Sequence, residues 1–301
     1  MIGANRRNLP MPDPGFAVPP MACDCHMHIF GDPARYPPAA WRAYDPIEMP
    51  LTRYNAEAAR MGFGRVVFVQ PSAYGTDNAC MLDSLRARPA DSRGVAVIDA
   101  ATTDAALAEM AALGVRGVRL NLVSNGEPDG PAAIAQLQAT AARVAPLGWH
   151  VQIFATTALL ALLAPAIRTL KVPVVVDHMG AGDGLLAADR PGFTALLGLL
   201  AAGNCWVKIS GANRVSVAGD AFADAVPVMQ ALIAANPARA LWGTDWPHIG
   251  PHVPGAPRPV VYMPIDNLAL LRLLGQAAPD AATRNRILVD NPAALYGFPP
   301  A

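Results

Sequence analysis

The segment Asp24-Cys25-His26-Met27-His28 carries two imidazoles two residues apart, and on an extended chain that spacing aims both from one face. Imidazole ligates metals, carries protons near neutral pH and, when uncharged, can donate a hydrogen bond to a carbonyl oxygen. A third histidine, His178, closes the apolar run VPVVVDH (172–178), Asp245 lies at the end of ALWGTDW (240–246), and Arg119 lies near the end of GVRLNL (117–122). Ester hydrolysis can be assembled from such a set: a carboxylate takes a proton from water while hydrogen-bonding or positive groups hold the charge that develops on the carbonyl oxygen. His26, His28 and Asp245 could equally hold one divalent metal such as zinc, with a position left open for water or a carbonyl. Singly these residues are ambiguous. An HxH pair is a short pattern, His178 alone also reads as a hydrogen-bonded core histidine, and Asp245 before Trp246 as a turn cap. Their joint placement at the ends of separate apolar runs gives the set its meaning.

Eight apolar, β-branched runs of strand length are present: ACDCHMHI (22–29), RVVFVQ (65–70), RGVAVID (93–99), GVRLNL (117–122), WHVQIF (149–154), VPVVVDH (172–178), CWVKIS (205–210) and ALWGTDW (240–246). Ala/Leu-rich stretches with helical spacing lie between them, several opening on Thr, Asp or Pro and closing on Gly or Asn. This alternation predicts an α/β fold, a (β/α)8 TIM barrel, with residues 1–301 as one domain and 1–20 as an extended N-terminal segment. A doubly wound open sheet fits less well, because no nucleotide-binding glycine turn follows ACDCHMHI. In such a barrel the reactive groups belong at the carboxyl ends of the strands, where the histidines, Arg119 and Asp245 fall.

Strand parity sorts the remaining candidates. Asp24, His26 and His28 share one face of the first run, with Cys23, Cys25 and Met27 on the other. Lys208 shares a face with Trp206 and Ser210, opposite Cys205, Val207 and Ile209, and is therefore expected inside the barrel, with Asp24 as the partner a buried ammonium requires. His150 begins its strand too early to reach the mouth, and His248 and His252 follow in a Pro/Gly-rich loop as pocket wall or surface.

Composition narrows the function classes. The 301 residues are 53% hydrophobic and 15% charged, and 23 Lys+Arg balance 23 Asp+Glu. A zero net charge argues against nucleic acid and acidic membrane surfaces as partners. No apolar run has the roughly 18 residues of a membrane span, and the arginines near the start precede no apolar segment, so a cytoplasmic protein is expected. The four cysteines, at 23, 25, 80 and 205, are too irregularly placed for a disulfide framework and are expected as thiols.

The motifs DCHMH, VVVDHMG (174–180) and WGTDWPH (242–248) together resemble the amidohydrolase superfamily. DCHMHIFGDPARYP, FVQPSAYGTDN, GVRGVRLN, VKISGANRVS and NPAALYGF look like its branch of 2-pyrone-4,6-dicarboxylate lactonase and related lactonases, over about residues 22–298. That resemblance implies hydrolysis of a small-molecule lactone, with Asp245 as the base that activates water and His26, His28 and His178 polarising the carbonyl or holding a metal. Arg119 and Arg214, in VRLN and ANRVS, could bind a substrate carboxylate as forked donors, Arg214 reading equally as a solvated loop residue, and Gln70, Ser72, Tyr74 and Tyr44 could supply neutral hydrogen bonds. Lys171 and Lys208 are the only lysines, and neither stands on the fourth strand, so a binuclear centre bridged by a carboxylated lysine is excluded. A single zinc on His26, His28 and Asp245 is the alternative to the expected metal-independent site. Asn125 and Ala181 stand where the dicarboxylate-specific pattern has further arginines, which favours a substrate with one carboxylate. The competing readings are a zinc-dependent nonoxidative decarboxylase of an aromatic or muconate acid, a lactone isomerase, and a noncatalytic barrel that binds a small acid. Sequence does not fix the oligomeric state.

Overall fold

In a computed structural model, which describes residues 13–124, 126, 128–180, 191–219, 221–250 and 260–300, the eight runs form one parallel sheet in sequence order. The strands are β1 (Cys23–Met27), β2 (Arg65–Val69), β3 (Ser92–Ala96), β4 (Val115–Asn121), β5 (His150–Phe154), β6 (Val174–Val176), β7 (Cys205–Ile209) and β8 (Ala240–Trp242). Helices between them include α1 (Leu51–Met61), α2 (Ala79–Ala87), α3 (Asp104–Ala112), α4 (Gly130–Val144), α5 (Thr157–Ile167) and α6 (Pro191–Ala201). A short α7 (Ala212–Val215) follows β7, then α8 (Val226–Ala235), and α9 (Asn267–Ala277), α10 (Ala281–Asn285) and α11 (Asn291–Tyr296) follow β8. Thr103, Asp129 and Thr156 cap α3, α4 and α5 by accepting from the backbone N–H of Ala106, Ala132 and Leu159, as their residue types led one to expect. The arrangement is a (β/α)8 barrel.

Alternation along the strands sorts side chains into two layers. Val67, Val69, Val95, Val175, Trp206 and Leu241 fill the barrel interior with Cys23 and Cys25, while Tyr296 and Phe298 pack against them. Val66, Phe68, Val118, Val174, Val207 and Trp242 face the helices. All four cysteines are buried thiols. No helix among the described residues is long and apolar enough to cross a membrane.

Closure between the first and last strands positions the site. Asp245 N–H donates to the His26 carbonyl (2.8 Å) and His28 N–H to the Trp246 carbonyl (2.8 Å), stitching the loop after β8 onto the end of β1. Gly243 permits this approach, since a Cβ there would stand 2.7 Å from both the Cβ and the backbone nitrogen of His26. The strand parity expected for β1 fails at one point. Asp24 pairs with Val66 and Met27 with Phe68, so β1 carries one residue more than β2 over this stretch. Cys25 and His26 both face inward as a result, and Asp24 turns outward to accept from Thr244 Oγ1 (2.6 Å) and Tyr54 Oη (3.0 Å). The expected Asp24–Lys208 pair is therefore replaced. Lys208 points inside as predicted, but its neighbours are Gln152 Oε1 (2.6 Å) and Asp177 Oδ1 (3.7 Å).

Candidate active site

The sixth and eighth strands end earlier than their apolar runs do. His178 and Asp245 lie past β6 and β8 in left-handed conformations, with φ of 49° and 64°. Residues other than glycine adopt this region at a cost, and such residues cluster where surrounding structure holds a functional geometry. Both side chains reach the barrel mouth, where His26 and His28 arrive from β1.

Each imidazole is engaged through Nδ1. His28 Nδ1 lies 2.8 Å from the Val69 carbonyl oxygen, His178 Nδ1 lies 2.9 Å from Ser210 Oγ, and His26 Nδ1 lies 3.2 Å from Asp177 Oδ1 and 3.3 Å from Lys208 Nζ. The three Nε2 atoms turn toward one point, each 3.7 Å from Asp245 Oδ1. The other carboxylate oxygen of Asp245 accepts from Arg214 through Nη2 (3.0 Å) and Nε (3.3 Å). Below this layer Asp177 Oδ2 accepts from Arg119 Nε (3.0 Å) and Gln152 Nε2 (2.9 Å).

Burial dominates the electrostatics. It lowers the pKa of His28 to about 4, with the Arg119 charge adding to the effect, and that of His178 to about 4, opposed by Asp245 and aided by Arg214. Burial also holds His26 well below the ordinary range. All three rings are thus uncharged at neutral pH. Burial alone would raise the acids, but Asp245 is held far below the usual carboxylate range by His178, Arg214 and the β1 histidines. Asp177 is likewise held low by His26, Lys208 and Arg119. Lys208 is lowered by burial to about 8. With the imidazoles neutral, Arg214 is the standing cation on Asp245.

His28, His178, Asp245, Arg119 and Arg214 border a small cleft completed by Tyr44, Ser72, Asn121, Ser124, Phe154 and Ile249. The Arg119 and Arg214 guanidinium carbons lie 5.6 and 5.5 Å from the centre of the same Phe154 ring, which holds both forks toward the opening. The structure thus brings together His26, His28, His178, Asp245, Arg119, Arg214, Tyr44 and Ser72. Two expected substrate contacts fall elsewhere. Gln70 donates to the carbonyls of Gly75 (3.2 Å) and Asp77 (2.7 Å) and braces the loop after β2, and Tyr74 Oη accepts from Gly31 N–H (3.2 Å). His150 is buried against Tyr296 below the mouth, and His248 Nε2 meets Asn267 Oδ1 (2.8 Å), away from the cleft. Asn125, Ala181 and His252 lie outside the described residues. Sequence reasoning missed Asp177, Gln152, Ser210 and Phe154. Parity carried a signal for each: Asp177 follows Val175 on the inner face of its run, and Gln152 and Phe154 alternate with the outward Val151 and Ile153.

Residues 23–298 match the family described as Amidohydrolase. The chain belongs to the amidohydrolase family. A 2-pyrone-4,6-dicarboxylate hydrolase from Comamonas testosteroni is 36% identical to it over 292 residues, covering 94% of this chain and 92% of the relative. A 4-sulfomuconolactone hydrolase from Rhizobium radiobacter is 33% identical, covering 98% of this chain and 95% of its own. A solved structure from Agrobacterium tumefaciens is similar with a TM-score of 0.81 at 28% identity, covering 95% of this chain and 98% of that one.

In this amidohydrolase His26, His28 and Asp245 offer ligand atoms that all lie within 4.8 Å of one another, as do His26, Asp177 and His178. With the His26 Nε2 buried and without a hydrogen-bond partner among the described residues, the donor set fits a divalent ion. Bound there, such an ion would supply Lewis acidity and lower the pKa of a coordinated water.

Proposed function

We propose that this amidohydrolase opens a lactone bearing one carboxylate, with water as the nucleophile, Asp245 as the base and no essential metal. The observation that carries the reading is the Asp245 carboxylate facing three uncharged imidazoles in a cleft edged by two guanidiniums. Water between Asp245 and the lactone carbonyl gives one proton to the carboxylate as its oxygen bonds to the carbonyl carbon. The charge on the carbonyl oxygen is held by hydrogen bonds from the site, and as the ring C–O bond breaks, the departing oxygen takes a proton to leave a hydroxy acid.

Charge balance supports both the substrate class and the metal-free route. Two buried carboxylates, Asp177 and Asp245, face three cations, Arg119, Arg214 and Lys208, so the cluster carries one surplus positive charge. One substrate carboxylate neutralises it, whereas a dication would add to it in a medium that screens poorly. Arg119 and Arg214 each touch a single carboxylate oxygen of their partner and retain N–H groups for a ligand. A substrate carboxylate that shares Arg214 relieves part of its hold on Asp245 and makes that group a better base.

Testing requires a panel of carboxylated lactones and their methyl esters, followed by proton release on the native protein and on Arg119→Met, before and after chelation. Loss of the Arg119 anchor should cost on the order of 2 kcal/mol in kcat/KM for the carboxylated lactones and much less for the esters. The lost Asp177 contact affects both alike and cancels in the comparison. Equal losses would remove the carboxylate anchor, activity restored only by zinc would replace the metal-free route, and CO2 release without ring opening would favour a decarboxylase.

A further inference from the structure

An uncharged imidazole carries one N–H, so what faces Nδ1 decides what Nε2 can do. His28 Nδ1 faces the Val69 carbonyl oxygen at 2.8 Å, and a carbonyl oxygen only accepts. The His28 proton therefore sits on Nδ1, and a lone pair points into the cleft from Nε2. Such a ring cannot donate to a substrate carbonyl oxygen. It can accept the second proton of a water whose first proton faces Asp245 Oδ1, 3.7 Å away.

His178 has a different partner. Ser210 Oγ, 2.9 Å from its Nδ1, is a hydroxyl that either donates or accepts. What lies on the other side breaks the tie: His178 Nε2 is 3.7 Å from Asp245 Oδ1, and an ionised carboxylate favours an N–H over a lone pair facing it. The hydroxyl then donates to Nδ1 and the ring proton occupies Nε2. His26 takes no part in this assignment, because its Nδ1 has both an acceptor, Asp177, and a donor, Lys208, within reach.

We propose that the Nδ1 partners divide the trio: His28, fixed by the Val69 carbonyl, holds the attacking water together with Asp245. His178, set by Ser210, provides the N–H that holds the lactone carbonyl oxygen. The reaction steps rest on the lactone-opening reading above, while the two tautomers are properties of the free protein. Ser210 is a positioning residue in this scheme, acting through His178.

The test is a long-range proton–nitrogen correlation spectrum of protein labelled with 15N-histidine, recorded without substrate at neutral pH and assigned by the signals missing from His28→Gln and His178→Gln. His28 should be protonated on Nδ1 and His178 on Nε2. Ser210→Ala should move His178 toward a mixture of tautomers and lower kcat for lactone opening by roughly tenfold to a hundredfold with little change in KM, and Ser210→Thr should restore both. The same tautomer on both rings overturns the assignment. A Ser210→Ala spectrum and kcat like those of the native protein overturn it too. The native spectrum, so assigned, decides the matter even if Ser210→Ala fails to fold. Absence of any lactone turnover would defeat the functional reading and leave the tautomer result standing.

Discussion

Asp245 is the single residue on which the chemistry turns. It is the one carboxylate at the point where three Nε2 atoms meet, and its low proton affinity keeps it ionised through the neutral range. Asp245→Asn preserves shape and removes the proton acceptor, so kcat should fall by roughly 10²–10⁴ with the thermal transition nearly unchanged. Turnover close to native in that variant, measured on the best lactone of the panel, would take the base role from Asp245. Residue type together with placement at the ends of separate apolar runs singled out Asp245 and the histidines. What the side chains touch was less legible: Gln70 and Tyr74 have polar groups of the expected kind, but the loop after β2 uses them for its own backbone. A hydrogen-bonding side chain after a strand serves the cleft or the loop according to how the loop folds back, and periodicity says nothing about that.

Among the elements, the junction of β1 and the segment after β8 does the positioning. The extra residue in β1 turns Asp24 outward to the N–H (2.9 Å) and hydroxyl (2.6 Å) of Thr244, next to Asp245, so one buried carboxylate fixes the segment that presents the other. Burial raises the Asp24 pKa to about 6 against the pull of these donors. Gly243 lies directly against His26 at the same junction. Gly243→Ala should force the two segments apart, costing about 1–3 kcal/mol in urea unfolding and more than tenfold in kcat, because the Asp245–His26 geometry shifts with it. Unchanged kcat at native stability would show that the junction tolerates a Cβ and does not set the site. Parity along β7 predicted Lys208 correctly because that strand is regular. Along β1 it failed after Asp24, because a register shift depends on how the neighbouring strand pairs.

For the whole molecule, stability should depend on pH through the buried imidazoles. His26, His28, His150, His178 and His248 are all lowered in the folded protein, chiefly by burial, to about 4 for His28 and His178 and about 3 for His150. Once unfolded they recover a value near 6.5, so between that pH and about 4 the unfolded chain binds more protons and stability falls as pH falls. Asp24 acts in the opposite direction: its folded value of about 6 exceeds the unfolded one, so it favours the folded state at acid pH and loses that contribution as pH rises through 6. Five imidazoles outweigh one carboxyl, so unfolding at pH 5 should take up several protons. The slope of unfolding free energy against pH measures this uptake. A flat profile between pH 4.5 and 6.5 would mean that the rings are charged in the folded state.

The sequence by itself determined the eight-strand alternation, the inward direction of Lys208, and the gathering of His26, His28, His178, Asp245 and Arg119 at one end of a barrel. These follow from the period of two along a strand and from the parallel order that brings every carboxyl end to the same rim. Only the tertiary structure decided that Asp177, not Asp24, neighbours Lys208, that Ser210 stands behind His178, and that His178 and Asp245 lie past their strands with positive φ. Those are relations across the barrel or in turns held by neighbouring strands. They depend on register, on one inserted residue in β1 and on distances between strands far apart in sequence, which no local periodicity encodes.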